Sequence, residues 1–126
     1  MKKYFYDSYA LMEFYEGKSS YFPYFSKELE VVTCNYNVSE VYGKLLSRND
    51  LEGAKKIAEV FMPDSLIPSN EALLGAQRLK LELRELSGKS VSLIDSLGYL
   101  MAKSMRLKFL TGDDAFKGLK NVEFVK

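Results

Sequence analysis

The spacing of hydrophobic and polar residues alternates between strand-like and helical patterns along the whole chain. Short β-prone runs are separated by stretches in which apolar residues recur at helical spacing, as Val38, Val41 and Leu45 do. These patterns predict strands at residues 3–6, 30–34, 65–68, 107–110 and 122–125. They predict helices at residues 8–16 and 20–29, from residue 37 onward, and at 50–61, 70–86 and 92–106, with a short helical turn at 113–116.

Alternating strands and helices are typical of a parallel sheet that is covered by helices on both faces. The 126 residues suffice for one domain with its own core and are too few for two. No internal repeat, low-complexity tract or linker divides the chain. We therefore predict a single α/β domain over residues 1–126, a three-layer α/β/α sandwich around a central parallel sheet of four to five strands.

The composition excludes several kinds of catalytic site. The chain has no histidine, which removes Ser-His-Asp and Cys-His mechanisms and every histidine-containing zinc site. Its single cysteine, Cys34, excludes both a four-cysteine zinc site and an internal disulfide. An enzyme built from this chain would have to use carboxylates, lysine, tyrosine, hydroxyls or hard metal ions.

Charge and hydropathy limit the partners and the compartment. The net charge of +1 at pH 7 means that contact with nucleic acid must come from a local patch or from metal ions. No apolar run is long enough to span a bilayer, and Asp7 brings a charge before a signal-peptide core could form. We expect a cytoplasmic protein with no membrane partner.

Four acidic residues are predicted to meet at one edge of the sheet. Asp7 follows the first strand, and Asp113 lies just beyond the strand at 107–110. Glu40 and Asp95 fall in the first turns of their helices, and crossover helices begin at the edge where parallel strands end. That edge is where open α/β sheets bind their ligands. We call these four residues the acid cluster.

Each member of the acid cluster also fits a purely structural role. Asn37-x-x-Glu40 and Ser92-x-x-Asp95 match the capping-box pattern. Asp7 and Asp113 fit as caps of the helical segments that follow them. On a helical wheel Asp95 lies at the border of a wide apolar face, which favours a position in a cleft over free exposure to water.

A divalent metal would resolve the charge problem that such a cluster creates. Carboxylates a few ångströms apart raise one another's pKa, and no histidine is available as a partner. Hard oxygen ligands favour Mg²⁺ or Mn²⁺ over zinc. These ions activate water and stabilise charge on a phosphoryl group, so the predicted reaction is phosphodiester hydrolysis.

Four sequence motifs resemble those of PIN domains. Tyr-Phe-Tyr-Asp7-Ser8 is similar to the opening motif, Val-Ser-Glu40-Val-Tyr-Gly to the second and Ser-Leu-Ile-Asp95-Ser-Leu to the third. Leu-Thr111-Gly-Asp113-Asp114-Ala-Phe is similar to the fourth, and Leu-Lys-Asn-Val-Glu-Phe-Val at the end fits the last strand. The resemblance covers essentially the whole chain, in order and with suitable spacing.

The resemblance implies a function and roles for individual residues. Asp7, Glu40, Asp95 and Asp113 correspond to catalytic, metal-binding carboxylates, while Ser8 and Thr111 correspond to supporting hydroxyls. The family often has a further acid where this chain has Ala115, so Asp114 either substitutes for that acid or lies on the surface. The resemblance therefore fits a site with one metal ion as well as a site with two. A PIN domain this short resembles VapC-type toxins, which cut RNA, are silenced by an antitoxin and are usually homodimers.

Two further surfaces are candidates for contacts with partners. Ten of the 17 tyrosines and phenylalanines lie within the first 25 residues, which predicts either core packing with scattered surface rings or an apolar groove for an antitoxin helix or a dimer contact. Lys44 and Arg48, one helical turn apart, are candidate phosphate contacts, and Tyr9 is a candidate for base stacking. The alternation of Lys80, Glu82, Arg84 and Glu85 is typical of a solvated helix face.

Other functions are open at this point. A phosphoacceptor domain would need two acids at the end of the first strand, but the neighbours of Asp7 are Tyr6 and Ser8. A haloacid-dehalogenase-like phosphatase would need Asp-x-Asp, but position 9 is a tyrosine. A ribosomal RNA processing nuclease and a non-catalytic PIN-fold interaction domain remain as alternatives. The short length favours the toxin, and the intact acid cluster favours catalysis.

Overall fold

The computed structural model describes all residues from 1 to 126. The strands are β1 (Tyr4–Tyr6), β2 (Lys108–Thr111) and β3 (Val122–Phe124). The α-helices are α1 (Ser8–Tyr15), α2 (Asn35–Ser47), α3 (Leu51–Phe61), α4 (Asn70–Ser87) and α5 (Leu93–Ser104). Two 3₁₀ helices complete the secondary structure, at Ser19–Phe25 and Asp114–Phe116.

The three strands form one parallel sheet in the order β1-β2-β3. The prediction of four to five strands was therefore wrong in number. The predicted strands at 30–34 and 65–68 form only isolated bridges: Val32 pairs with Phe5, and Cys34 pairs with Leu66. Neither can extend its ladder, because α2 begins at Asn35 and Pro68 has no amide hydrogen to donate.

The sheet separates two cores, because successive strand residues point to opposite faces. Phe5 and Phe109 belong to a cluster that includes Leu83 of α4 and Leu97 of α5. Tyr4, Tyr6 and Leu110 belong to a second cluster with α1, α2 and α3, whose buried members include Leu11, Val41 and Ile57. The predicted three-layer α/β/α sandwich is confirmed.

The predicted α-helix at 20–29 is instead the 3₁₀ helix Ser19–Phe25, which ends before the predicted C-terminus. Pro23 lies inside it and has no amide hydrogen for a backbone hydrogen bond. The other predicted helices and strands are present with small shifts at their ends. No helix in the chain has the length and apolar content that crossing a bilayer requires.

The topology gathers several chain ends at one edge of the sheet. The carboxyl ends of β1 and β2 lie there, because the two strands are parallel neighbours. Only Asp7 separates α1 from β1, and α5 leads back to β2, so the N-termini of both helices point to this edge. This edge of the sheet carries the candidate site.

Candidate functional site

One cleft of about 370 Å³ contains all four carboxylates of the acid cluster. We call it the acid cleft. Its lining also includes hydroxyl groups, two cations and two further acids. The lining residues are Asp7, Ser8, Tyr9, Met12, Glu13, Glu16, Glu40, Lys44, Arg48, Ser92, Asp95 and Asp113. The structure thus brings together side chains from four distant stretches of chain.

Three of the carboxylates are held in place by capping hydrogen bonds. Asp7 Oδ1 accepts from the Ala10 amide at 2.8 Å at the start of α1. Asp113 Oδ1 accepts from the Ala115 amide at 3.0 Å. These bonds fix the orientation of each carboxylate and leave it lining the cleft, so a capping role and a role in the cleft are compatible.

The capping box predicted at the start of α5 is present. The Asp95 amide donates to Ser92 Oγ at 3.1 Å, and the Ser92 amide donates to Asp95 Oδ2 at 3.3 Å. The capping box suggested for Asn37 and Glu40 does not form, because α2 begins at Asn35 with Cys34 as its N-cap. Glu40 therefore lies in the second turn of α2 and not in its first.

Burial disfavours the ionised form of two members of the acid cluster, Asp7 and Asp95. Asp7 is 1% exposed, and its burial raises the pKa of its carboxyl group from 3.8 to about 8. The nearby Asp95 and Asp113 add to this rise, while hydrogen bonds from the Thr111 hydroxyl and the Ala10 amide act against it. Burial also raises the pKa of Asp95, with further contributions from Asp113 and Glu40. Bringing these charges together therefore requires a proton or a counter-cation.

The donor set suits a hard divalent cation in its chemistry. Its ligands are carboxylate oxygens with hydroxyl groups nearby, and there is no imidazole or thiolate in the cleft. No three acidic side chains stand in an arrangement that already encloses an ion. A metal would therefore have to be held by carboxylates that turn toward it, using the oxygens that are not engaged in capping.

No protein-family model matches the sequence, and no curated protein matches it. Solved structures do match, at low identity. The Mycobacterium tuberculosis toxin VapC20, described as cleaving the sarcin-ricin loop, superimposes with a TM-score of 0.74 at 15% identity, covering 95% of this chain and 98% of the toxin. The chain has the PIN fold of VapC toxins.

Two further structures share the PIN fold. A chain of VapBC2 from Rickettsia felis, solved with a promoter DNA fragment, matches with a TM-score of 0.69 at 16% identity and covers 99% of this chain and 98% of its own. A chain of a toxin–antitoxin complex from Klebsiella pneumoniae matches with a TM-score of 0.65 at 14% identity, covering 96% and 95%. The similarity spans whole chains, so this protein has no large insertion relative to them.

A buried asparagine supports the site in this PIN fold, and the sequence pattern did not reveal it. Asn37 Nδ2 donates to Ser8 Oγ at 3.1 Å, and the Asn37 side chain is 1% exposed. Its Oδ1 has no hydrogen-bond partner. Because Ser8 accepts from Asn37, its own hydroxyl hydrogen is free to donate into the acid cleft. Asn37 therefore orients Ser8, which was predicted as a supporting hydroxyl.

The other two predicted supporting residues differ in position: Thr111 is buried within the site, and Asp114 lies on the surface. Thr111 is fully buried; its Oγ1 accepts from the Asp113 amide at 3.1 Å and its hydroxyl also bonds to the Asp7 carboxylate, so it connects Asp7 to the backbone of Asp113. Asp114 does not line the acid cleft. Its carboxylate pairs with Lys126 at 3.0 Å, and that contact lowers its pKa. Asp114 thus lies on the surface beside the site.

The rim of the acid cleft contains the predicted contacts for RNA and two acids that were not predicted. Lys44, Arg48 and Tyr9 all line the cleft. Arg48 is engaged with Glu16, with 2.6 Å between Nη1 and Oε1. Glu13 and Glu16 also line the cleft; Glu13 lies on α1, and Glu16 is the C-cap of that helix. Their spacing from Tyr9, four and seven residues further along, is the helical signal that could have identified them.

The aromatic residues of the first 25 positions are mostly used for packing. Tyr4, Phe5, Tyr6 and Tyr21 are buried, whereas Phe22 is 52% exposed. Some of the others border a small apolar groove of about 150 Å³ between α1 and α3, lined by Phe14, Tyr15, Ile57, Val60 and Phe61 among others. Core packing therefore accounts for most of these rings, and a groove is present as well.

Gly112, within the fourth motif, is expected to tolerate no side chain. A Cβ atom there would collide with the Tyr9 ring and with the Val125 carbonyl oxygen. The Val125 backbone is held by its amide, which donates to the Thr111 carbonyl at 2.9 Å. Gly112→Ala should lower the free energy of unfolding by about 1–3 kcal/mol, measured by urea denaturation.

Gly43 provides the matched control for this substitution. It lies within α2, and a Cβ atom there would meet nothing within 4 Å. Gly43→Ala should raise the free energy of unfolding by about 0.5–1 kcal/mol through helix propensity. Equal effects of the two substitutions would contradict the close approach at Gly112.

Proposed function

We propose that this protein is an endoribonuclease dependent on Mg²⁺ or Mn²⁺ and the toxin of a toxin–antitoxin pair. The observation that carries the proposal is the meeting of Asp7, Glu40, Asp95 and Asp113 in one cleft of a PIN fold. The names of the structural neighbours agree with it, since one is a toxin that cleaves the sarcin-ricin loop and another is a toxin–antitoxin complex.

The residues of the cleft have distinct tasks in this proposal. Asp7, Asp95 and Asp113 would hold the metal through the oxygens that face the cleft, with Glu40 completing the acid cluster. The bound ion would activate water and stabilise charge on the phosphoryl group. Ser8 would donate a hydrogen bond into the cleft, and Thr111 would fix the position of Asp7 relative to Asp113.

Lys44 lies on the rim, free of any ion pair, and would contact a phosphate of the RNA. Arg48 would do so after release from Glu16, which is an exposed pair and therefore weak. Tyr9 would stack on a base at the cleft edge. These contacts position the strand, whereas the carboxylates act at the scissile bond.

The partners follow from the same proposal. We expect an antitoxin to bind the protein and block the acid cleft, and we expect the toxin to act in the cytoplasm as a homodimer. The apolar groove beside Phe14 and Phe61 offers a surface on which an amphipathic helix of the antitoxin could rest. A small antitoxin-like reading frame beside the gene would favour the toxin over a ribosomal RNA processing nuclease.

The decisive test is cleavage of RNA by the purified protein with Mg²⁺, with Mn²⁺ and with a chelator. We expect cutting only when a divalent ion is present, and we expect Asp95→Asn to abolish it. Asp64→Asn serves as a control, because Asp64 is exposed and lies outside the acid cleft. Cleavage that persists in chelator, or in Asp95→Asn at the wild-type rate, would sink the proposal. Binding of RNA without any cleavage would favour a non-catalytic interaction domain.

A further inference from the structure

A second cleft, of about 400 Å³, lies between α4 and the turn that leads into α5. Arg78, Lys80 and Arg84 of α4 line it, together with the exposed Leu81. Ser90 and Val91 form its other side. No acidic residue lines it, and we call it the basic cleft.

The three cations of the basic cleft have no partners within the protein. The ion pairs of the chain are Lys18–Glu13, Arg48–Glu16 and Lys126–Asp114, and none of them involves α4. The alternating charges of this helix had indicated a solvated face. Glu82, Arg84 and Glu85 are indeed exposed, and Lys80 and Arg84 in addition line a concave surface that Glu82 and Glu85 do not reach.

The basic cleft adjoins the acid cleft. Ser90 and Val91 line the first, and Ser92, the next residue, lines the second. Lys89, at the start of the same turn, is close enough to Asp114 to contribute to the lowering of its pKa. The two clefts therefore meet at the turn of residues 89–92, which leads into α5.

We propose that the basic cleft binds the phosphate backbone of the RNA strand next to the scissile bond, an inference that rests on the proposed function. An RNA phosphate at the acid cleft requires the strand to continue across a neighbouring surface. Guanidinium groups suit phosphate oxygens because they can donate two parallel hydrogen bonds. No aromatic ring lines the basic cleft, so it recognises the backbone and not the bases.

Because the net charge of the whole protein is small, attraction of RNA depends on local sites such as the basic cleft. The net charge is only +1, so the general field of the molecule attracts RNA weakly. A segment of protein rich in acidic residues is the other polyanion that could enter the basic cleft. RNA is favoured because the proposed substrate already lies in the adjoining acid cleft.

The test compares two double variants with equal loss of charge. Arg78→Ala/Arg84→Ala changes the basic cleft, and Lys55→Ala/Lys56→Ala changes exposed lysines of α3. Binding of a labelled single-stranded RNA is measured over a range of salt concentrations, in an Asp95→Asn background that leaves the RNA intact. The arginine variant should bind about 10-fold more weakly, and its slope of log K against log salt should fall by about 1.4, which corresponds to two lost phosphate contacts. The lysine variant should keep the wild-type slope.

Cleavage supplies a second measurement in the background with intact catalysis. The arginine variant should raise KM for a long RNA about 10-fold and leave kcat unchanged, while cleavage of a dinucleotide should not change. The inference would be overturned if the two double variants had equal slopes of log K against log salt. It would also be overturned if poly-glutamate, but not RNA, occupied the basic cleft. A wild type that binds RNA at the basic cleft but never cuts it would overturn the proposed function alone.

Discussion

Asp7→Asn is expected to stabilise the metal-free protein at pH 8 by about 3–6 kcal/mol. Asp7 is buried, and its pKa is raised from 3.8 to about 8, so ionisation of this group opposes folding. Asparagine has nearly the same shape and cannot ionise. It is also a good N-cap, so its oxygen can keep the hydrogen bond from the Ala10 amide.

The sign of this effect follows from linkage. The folded pKa of Asp7 lies above the unfolded value, so its protonated form contributes stability that is complete below pH 3.8 and is lost as the pH rises through about 8. The advantage of asparagine should therefore be largest at pH 8 and shrink to about 1 kcal/mol at pH 4.5. Urea denaturation with chelator present measures both values.

The same substitution should remove RNA cleavage, because a neutral side chain is a poor ligand for a divalent ion. Stability and activity would then change in opposite directions, as expected for a residue kept for function at a cost in stability. Asp64→Asn, at an exposed acid, should change neither by much. A loss of stability in Asp7→Asn at pH 8 would contradict the burial effect that we assign to Asp7.

The position of the acid cluster was predictable because topology determines it. Asp7 follows β1, Asp113 follows β2, and Asp95 lies in the first turn of α5, so parallel strands and crossover helices must bring them to one edge. Periodicity and capping patterns suffice to find those three features. Glu40 was found by the same reasoning, although α2 begins two residues earlier than its pattern indicated.

The features that were missed depend on contacts between segments far apart in the chain. The Asn37 side chain acts on Ser8, 29 residues away, and no local pattern distinguishes it from a helix cap. The number of strands depended on whether residues 30–34 and 65–68 could form ladders, which the start of α2 and Pro68 prevent. The basic cleft required the packing of α4 beside the turn at residues 88–92.

The acids of the acid cluster share a cleft, but this alone does not arrange them as the ligands of an ion. The acid cluster shares one cleft, yet no three acids enclose a point at which an ion would sit. Three of the carboxylates already accept hydrogen bonds from backbone amides at the starts of helices. Repulsion between ionised carboxylates favours an open arrangement, and a bound cation would favour a closer one.

Asp113 and Asp114 provide the sharpest comparison within the site, because they are neighbours in sequence and differ in position. Asp113 lines the acid cleft, whereas Asp114 is exposed and pairs with Lys126. Asp113→Asn should reduce RNA cleavage on the order of 100- to 1000-fold through the loss of a charge at the reacting group. The fold should persist, because asparagine can still accept from the Ala115 amide.

Asp114→Asn should change cleavage less than about twofold and stability by less than about 1 kcal/mol, since it breaks only an exposed ion pair. Rates measured for both variants at saturating Mn²⁺ make the comparison direct. If Asp114→Asn lost as much activity as Asp113→Asn, the acid that replaces the family's missing one at Ala115 would be Asp114. A metal would then be held partly by the surface side of the fourth motif, and the acid cleft would be only part of the metal site.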